Sequence, residues 1–296
     1  MKQILQRLAA GIAVLGVVAG VAVAPAHAEG ETESIAMSPT NVRLTTDPGK
    51  EYSGTFKVMN DGQVGYDVLV YARPYSVQGK NYEPVFNAPS GNLDAYTWVQ
   101  FDKTTFHLNA GENTEVKYTV RVPENAKSGS HTAVMFAETQ PQANSGGSVV
   151  RKKRVGQIVY ATVGGDNKVA GDVASYSIPF LQTAKPLHAS SLVNNTGTTD
   201  FVDETKVTVR DVFGSEKYAQ TRSLAVLPNQ PREMQYDWND SSSFGLYHVT
   251  VSHTFLGKSV SSAGYVLMIP VWALVAILLL IVGAVVYAVA KRRRKA

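Results

Sequence analysis

The stretch Thr-Glu-Val-Lys-Tyr-Thr-Val-Arg at residues 114–121 decides the fold class, because apolar and polar side chains alternate along it without a break. A period of two places successive side chains on opposite faces of an extended strand. One face can then be buried while the other meets water, as in antiparallel sheets. The stretch therefore predicts a half-buried β-strand.

The same alternation recurs upstream, and no helical periodicity stands out between residues 29 and 262. Residues 52–60 and 66–72 each present apolar side chains on one face, and Asp61-Gly62 between them is a hairpin signal. About seven such strands in roughly 130 residues is the pattern of an immunoglobulin-like sandwich. We therefore predict a first immunoglobulin-like domain over residues 29–165.

A second series of strands follows the turn-forming residues 164–167. We expect a second immunoglobulin-like domain over residues 166–262, so the predicted fold class is all-β, with two tandem sandwiches. The predicted strands of this second series are 187–193, 205–211, 222–227, 232–238 and 245–254.

The C-terminal region predicts a transmembrane helix over residues 263–290, followed by a basic tail at 291–296. The uncharged run 265–290 ends in Lys-Arg-Arg-Arg-Lys. A helix rising about 1.5 Å per residue needs about 20 apolar residues to cross a hydrocarbon core of about 30 Å. Residues 266–290 would thus lie in the lipid bilayer, and the basic residues would hold the C-terminus in the cytoplasm.

The N-terminus predicts a signal peptide over residues 1–28. Lys2 and Arg7 precede an apolar segment, and Ala26-His27-Ala28 has the small-x-small pattern of a cleavage site. The alternative is an uncleaved first spanning helix. With cleavage, we expect a single-pass type I protein of the cell membrane whose ectodomain lies outside.

Charge and cysteine content narrow the function classes. The two terminal segments hold seven of the 28 Lys and Arg residues, so the ectodomain has 21 cations against 24 Asp and Glu, a balance of −3. The basic balance therefore reflects membrane insertion, and no nucleic acid partner is expected. Cysteine is absent, which favours a bacterium whose exported proteins avoid thiols, such as a single-membrane lineage.

The sequence contains no catalytic or metal-binding constellation, so no enzyme activity, catalytic residue, metal or cofactor is expected. It has no Gly-x-Ser-x-Gly elbow, no His-Glu-x-x-His helix and no thiol nucleophile. His248 and His253 are five residues apart in one predicted strand, which places them on opposite faces and argues against a shared metal. Scattered histidines of this kind are usually at the surface or half-buried.

Two clusters are candidates for ligand binding. Arg151, Lys152, Lys153 and Arg154 could bind an anionic wall polymer or lipid headgroups, because clustered cations gain from multivalent phosphates. The alternative is a solvated strand start that keeps an edge from aggregating.

The second cluster consists of the aromatic residues Tyr82, Phe86, Tyr96 and Trp98. They could form a platform for sugar rings. Trp98 is more simply explained as part of a sandwich core, which large aromatic side chains often fill.

Several ordered segments carry a resemblance to a known family. Leu-Asn-Ala-Gly-Glu at 108–112, Val-Arg-Val-Pro at 120–123 and Gly-Ser-His-Thr-Ala at 129–133 are the clearest of them. Over residues 34–163 the chain resembles the immunoglobulin-like first domain of the WxL-interacting surface proteins of Gram-positive-type bacteria. The resemblance implies binding to peptidoglycan, an anionic wall polymer or another surface protein. A structural accessory subunit of an envelope complex is the alternative, and a wall-active enzyme is the third.

Overall fold

Antiparallel strands make up most of the computed structural model, which describes residues 33–86, 94–140 and 152–293. One apolar helix follows them at the C-terminal end. The prediction of an all-β chain with a C-terminal apolar helix is therefore confirmed. The predicted signal peptide (1–28), Arg151 and residues 294–296 of the basic tail lie outside the described residues.

The first sandwich packs a four-stranded sheet against a five-stranded one, with strand orders β1-β3-β9-β7 and β2-β11-β10-β4-β8. A small hairpin, β5-β6, pairs with neither sheet. A 3-10 turn, Ala95–Trp98, precedes β7. The strands are β1 Ala36–Ser38, β2 Asn41–Thr46, β3 Glu51–Met59, β4 Tyr66–Pro74, β5 Ser76–Gln78, β6 Glu83–Val85, β7 Val99–Phe101, β8 Thr105–Leu108, β9 Asn113–Arg121, β10 Gly129–Thr139 and β11 Arg154–Val163.

The core of the first sandwich follows from the alternation in its strands. In β9, Val116, Tyr118 and Val120 are buried, whereas the residues between them face outward. They pack in one apolar cluster with inward-facing residues of β4, including Val68 and Val70. Burial of these alternate positions from two facing sheets holds the sandwich together.

The second sandwich packs a three-stranded sheet, β12-β14-β17, against a five-stranded sheet, β13-β19-β18-β15-β16. Its core draws on both sheets, for example Leu187 and Tyr236 from one and Val209 and Val249 from the other. The strands are β12 Gly171–Ser177, β13 Leu181–Gln182, β14 Leu187–Asn195, β15 Phe201–Asp211, β16 Glu216–Val226, β17 Arg232–Trp238, β18 Gly245–Phe255 and β19 Lys258–Met268.

The two sandwiches meet in a closely bonded seam, and the residues from Glu33 onward belong to one compact unit. The Tyr82 hydroxyl donates to the Gln230 carbonyl oxygen (2.7 Å) and accepts from the Leu227 backbone N–H (3.0 Å). Tyr82 adopts a left-handed backbone conformation (φ 58°), which is costly for a bulky residue. Its two bonds across the seam offset that cost.

The C-terminal helix α1 spans Val271–Arg293 and is long and apolar enough to cross a membrane. It begins later than the predicted start at residue 263, because residues 263–268 belong to β19. Val266 and Met268 are buried in the core of the second sandwich. Apolar residues that fill a sandwich core and apolar residues that face lipid are indistinguishable by hydropathy, which explains the displaced boundary.

Candidate functional site

The edge of β16 is the longest exposed strand edge of the described sheets. With 11 residues, β16 ends the five-stranded sheet of the second sandwich, and no strand of the described residues pairs with its outer side. The other terminal strands have between two and seven residues. Natural proteins usually shorten or cover such edges, because their unpaired main-chain groups invite another strand. An open edge of this length is therefore a candidate binding surface.

Main-chain groups along this edge point away from the sheet at alternate residues. The Ala225 carbonyl oxygen accepts a bond from outside the sheet, so it faces away from β15. In an antiparallel strand the N–H and C=O of one residue point the same way, and the direction alternates with each residue. The register to β15 is regular from Phe201 to Val209, so Ser223 and Thr221 share the outward direction of Ala225. Their donors and acceptors are available to an added strand.

A cleft opens beside this edge, where the two sheets of the second sandwich part between β16 and β17. It has a volume of about 320 Å³, at the lower end of ligand-binding pockets. Two arginines cross the gap in opposite directions: Arg222 donates to the Gln235 carbonyl oxygen (3.3 Å), and Arg232 donates to the Ala225 carbonyl oxygen (2.5 Å). The lining residues are Asn81, Thr205, Arg222, Leu224, Arg232, Glu233, Met234, Gln235 and Tyr236.

The β5-β6 hairpin of the first sandwich closes one end of the cleft. The Glu233 backbone N–H donates to the Lys80 carbonyl oxygen (2.8 Å), so the hairpin covers the edge of β17. Asn81 of the same turn lines the cleft. Arg232 crosses the edge of β16 at Ala225, but no strand or hairpin of the described residues covers the edge from Glu216 to Leu224, which makes this part the open side of the site.

The floor of the cleft is polar and largely buried. Tyr236 and Thr205 line it, and the Tyr236 hydroxyl makes no hydrogen bond of normal geometry within the described residues. Beneath them lies a fully buried pair in which His253 Nδ1 is 2.7 Å from Asp203 Oδ2. Thr205 donates to the same carboxylate oxygen (2.7 Å), linking the floor to the pair. Burying such groups is costly unless they are bonded, and the contacts of Asp203 Oδ2 with His253 and Thr205 offset part of that cost.

The electrostatics of the cleft favour a partner group that accepts hydrogen bonds. Burial lowers the pKa of Arg232, and its guanidinium lies 4.3 Å from the centre of the Tyr82 ring. Burial raises the pKa of the Tyr236 hydroxyl, so it is a neutral donor. Guanidinium and phenol donors together suit a carboxylate.

The predicted basic cluster is engaged within the first sandwich. Lys152 pairs with Glu138 (3.2 Å), and Lys153 Nζ donates to the Glu33 carbonyl oxygen. The Arg154 guanidinium lies over the Phe136 ring (4.5 Å) and near that of Phe86. These contacts hold the start of β11 to its neighbours.

The predicted aromatic platform is not assembled. Trp98 is buried in the core of the first sandwich against His131 (4.7 Å between ring centres), which leaves no face for a sugar ring. Tyr82 is buried in the seam, and Phe86 packs on Phe136. Tyr96 is half-buried against the core that contains Trp98. The structure thus divides the four residues between the core of the first sandwich and the seam.

The sequence reasoning missed the residues of the cleft. His253 and His131 are buried rather than at the surface, although His248 and His253 do face opposite sides of β18 as predicted. The sequence offers one signal for the cleft: Arg222 and Arg232 are each a cation within a predicted strand. Among the described residues, no group of three or more His, Asp or Glu side chains could hold a metal ion.

Comparisons with known proteins give remote structural likenesses. No protein-family model and no curated protein matches the chain. The YadV chaperone is 11% identical, with 78% of this chain and 99% of that one covered and a TM-score of 0.40. The class 5 fimbriae chaperone CfaA is 9% identical (79% and 99% covered, TM-score 0.39). The Salmonella enterica SafB chaperone structure, in complex with the SafA pilin, is 11% identical (80% and 97% covered, TM-score 0.39).

These findings correct two predictions. The suspected membership of the WxL-interacting family is wrong, since no family model matches and the structural neighbours include fimbrial chaperones such as YadV and CfaA. The predicted binding to the cell wall is wrong on the same comparisons, and neither a wall polymer partner nor a Gram-positive-type origin has support. At these identities and TM-scores the likenesses carry no function over to this chain.

Proposed function

We propose that this chain is a membrane-anchored surface protein, without enzyme activity, that binds another protein along the edge of β16. In this proposal a signal peptide exports the chain, two tandem immunoglobulin-like sandwiches stand outside, and α1 anchors them with the C-terminus in the cytoplasm. An extended segment of the partner adds one strand to the sheet beside β16, and an acidic side chain of that segment enters the adjacent cleft.

The observation that carries this proposal is the edge of β16, whose residues from Glu216 to Leu224 pair with no strand of the described residues on their outer side. Strand addition to such an edge gives affinity through main-chain hydrogen bonds and specificity through side-chain pockets. The outward N–H and C=O groups of Ser223 and Thr221 supply donors and acceptors, and the cleft beside β16 supplies the side-chain pocket. The side chains of Ser223 and Thr221 are small and exposed, so they leave room for the side chains of an added strand on the same face of the sheet.

The cleft favours an acidic side chain in the segment. Arg222 and Arg232 present guanidinium groups to it from opposite sheets, and Glu233 is the one carboxylate among its lining residues. Charge-assisted bonds from guanidinium to carboxylate are about twice as strong as neutral ones. A partner segment with Asp or Glu at the position facing the cleft should therefore bind best.

Site-specific photocrosslinking in the producing cell tests the proposal. A benzophenone amino acid replaces Ser223 on the outer edge of β16, and in the control it replaces Thr250 on β18, in the interior of the same sheet. We expect one protein adduct at position 223 that is absent at 250. Equal adduct patterns at the two positions, or adducts with lipid alone, would contradict binding along this edge.

A further inference from the structure

The end of the second sandwich nearest α1 carries exposed apolar side chains on several separate loops. Phe213, at the β15-β16 turn, is 90% exposed, and Phe180, before β13, is 61% exposed. Phe244, before β18, is 49% exposed, and Trp272, in the first turn of α1, is 66% exposed. Soluble surfaces rarely gather large aromatic side chains in this way, and such patches mark interaction sites.

The strand register places these loops at the same end of the second sandwich, next to the start of α1. The Phe180 carbonyl oxygen accepts a hydrogen bond from the Leu267 backbone N–H (2.5 Å). Leu267 lies three residues before Pro270, whose carbonyl oxygen accepts the first hydrogen bonds of α1. The Phe244 ring meets the Trp272 ring edge-on, with centres 5.6 Å apart. β15 ends with Asp211 opposite Tyr247, so the turn that follows lies at the same end of the sheet as Phe244.

On β13, β19 and β18 the outer face of the sheet becomes more apolar towards α1. Leu181, Leu267 and Leu246 stand side by side on three neighbouring strands, in register. The next outward row pairs Tyr265 with His248, whose ring centres are 5.1 Å apart. The rows further from the helix pair Ala263 with Thr250, Ser261 with Ser252 and Ser259 with Thr254. This order, aliphatic then aromatic then hydroxyl, is that of a surface crossing a membrane interface.

The backbone of the β15-β16 turn is fixed by hydrogen bonds, with the Phe213 side chain exposed. One oxygen of the Asp211 carboxylate accepts from the backbone N–H groups of Phe213 (2.9 Å) and Ser215 (3.0 Å). The other oxygen pairs with Lys217 (3.0 Å). These bonds lower the pKa of Asp211, with the Lys217 bond the largest cause. The turn is therefore held by bonds that do not involve the Phe213 side chain. That side chain is available to contact a lipid bilayer.

The linker between the second sandwich and α1 is too short for the two to move far apart. Ile269 and Pro270 alone lie between β19 and α1. The Ile269 backbone N–H donates to the Gln182 carbonyl oxygen (3.0 Å), which ties this link to β13. If α1 spans the bilayer, its first residues lie at the lipid interface, and the end loops of the sandwich must lie there too.

We propose that the membrane-facing end of the second sandwich docks into the lipid interface through Phe180, Phe213, Phe244 and Trp272. The occupant is the bilayer surface itself, because this apolar end is continuous with the spanning helix. The inference rests on the membrane anchor of the proposed function. Docking at several points would fix the orientation of the β16 edge relative to the membrane, which a flexible tether would not do.

Depth-dependent fluorescence quenching tests the docking. The chain contains no cysteine, so Phe213→Cys in the full-length protein accepts a single environment-sensitive dye. Val169→Cys is the matched control, since it is an exposed apolar residue before β12, at the other end of the second sandwich. Both are reconstituted in vesicles of phosphatidylcholine and phosphatidylglycerol. We expect nitroxide-bearing lipids to quench the dye at 213 and aqueous iodide to quench the dye at 169.

A triple variant and an extraction experiment complete the test. Adding Phe180→Ser and Phe244→Ser to the Phe213→Cys protein should increase quenching by iodide at 213, and these exposed residues can change without unfolding the domain. Equal access of iodide to the dyes at 213 and 169 would overturn the docking. Alkaline carbonate extraction of the same vesicles reports the anchor separately: protein retained in the membrane but quenched by iodide at 213 would refute the docking and leave the anchor standing.

Discussion

Arg232 on β17 donates a hydrogen bond to the carbonyl oxygen of Ala225 on β16 at 2.5 Å, although the two strands belong to different sheets. The same guanidinium lies 4.3 Å from the centre of the Tyr82 ring, which comes from the first sandwich. One side chain thus joins both sheets of the second sandwich to the seam. It also forms one wall of the cleft beside the open edge.

Replacing Arg232 by Met should lower the free energy of unfolding by about 2 kcal/mol, because a bond from a charged donor and a cation–π contact are lost. Arg222→Met is the matched control, since its bond to Gln235 is longer (3.3 Å) and more exposed. We expect it to lose less than about 1 kcal/mol. Urea unfolding of the two variants gives the comparison, and equal losses would show that Arg232 does not join the elements.

Tyr82→Phe should lose about 1–2 kcal/mol at neutral pH, because both hydrogen bonds of its hydroxyl across the seam disappear. Burial raises the pKa of Tyr82 from 10.0 to about 12. The folded state therefore favours the neutral hydroxyl, and its contribution is complete below pH 10 and is lost as the pH rises through 12.

The pH dependence of unfolding separates Tyr82 from other tyrosines. Between pH 10 and 12 the free energy of unfolding should fall less steeply in Tyr82→Phe than in the unmodified protein. Tyr52→Phe, which removes a tyrosine hydroxyl at a more exposed site, is the matched control variant and is measured in the same way. Parallel slopes for the protein and the Tyr82 variant would show that the seam does not depend on this hydroxyl.

His253→Leu should destabilise the fold by about 3 kcal/mol or more, because it leaves the Asp203 carboxylate buried without its ring partner. His248→Leu, on the outer face of the same strand, should cost less than about 1 kcal/mol. Thermal unfolding of both variants measures the difference. Similar midpoints would mean that the buried pair adds nothing to the fold.

The elements that the sequence predicted well are those with a local signal. The alternation at 114–121 lies within β9, and residues 232–238 are β17 as predicted. The first half of β16 was missed, because Glu216 to Thr221 is mostly polar on both faces, as an edge strand with an open cleft allows. The sequence places the segment 263–268 in the membrane, whereas it belongs to β19, because a sandwich core and a lipid bilayer select the same apolar residues.

The candidate site was beyond sequence reasoning for a different reason. The order of strands in a sheet decides which edge is free, and that order depends on contacts between distant residues such as Thr205 and His253, which pair β15 with β18. The cleft likewise requires Arg222 and Arg232 to face each other from different sheets. Aromatic residues near one another in sequence, such as Tyr82 and Trp98, suggested a platform, but folding buries them in separate clusters.

The most direct test of binding along β16 is photocrosslinking from position 223 in two variants of Thr221. Thr221→Pro removes an outward N–H and places a ring in the path of an added strand, and edge strands tolerate proline on this side. Thr221→Val keeps the N–H and the β-branched shape. Binding along this edge predicts that the protein adduct falls about tenfold or more in Thr221→Pro and persists in Thr221→Val. Equal adduct yields in the two variants would contradict it.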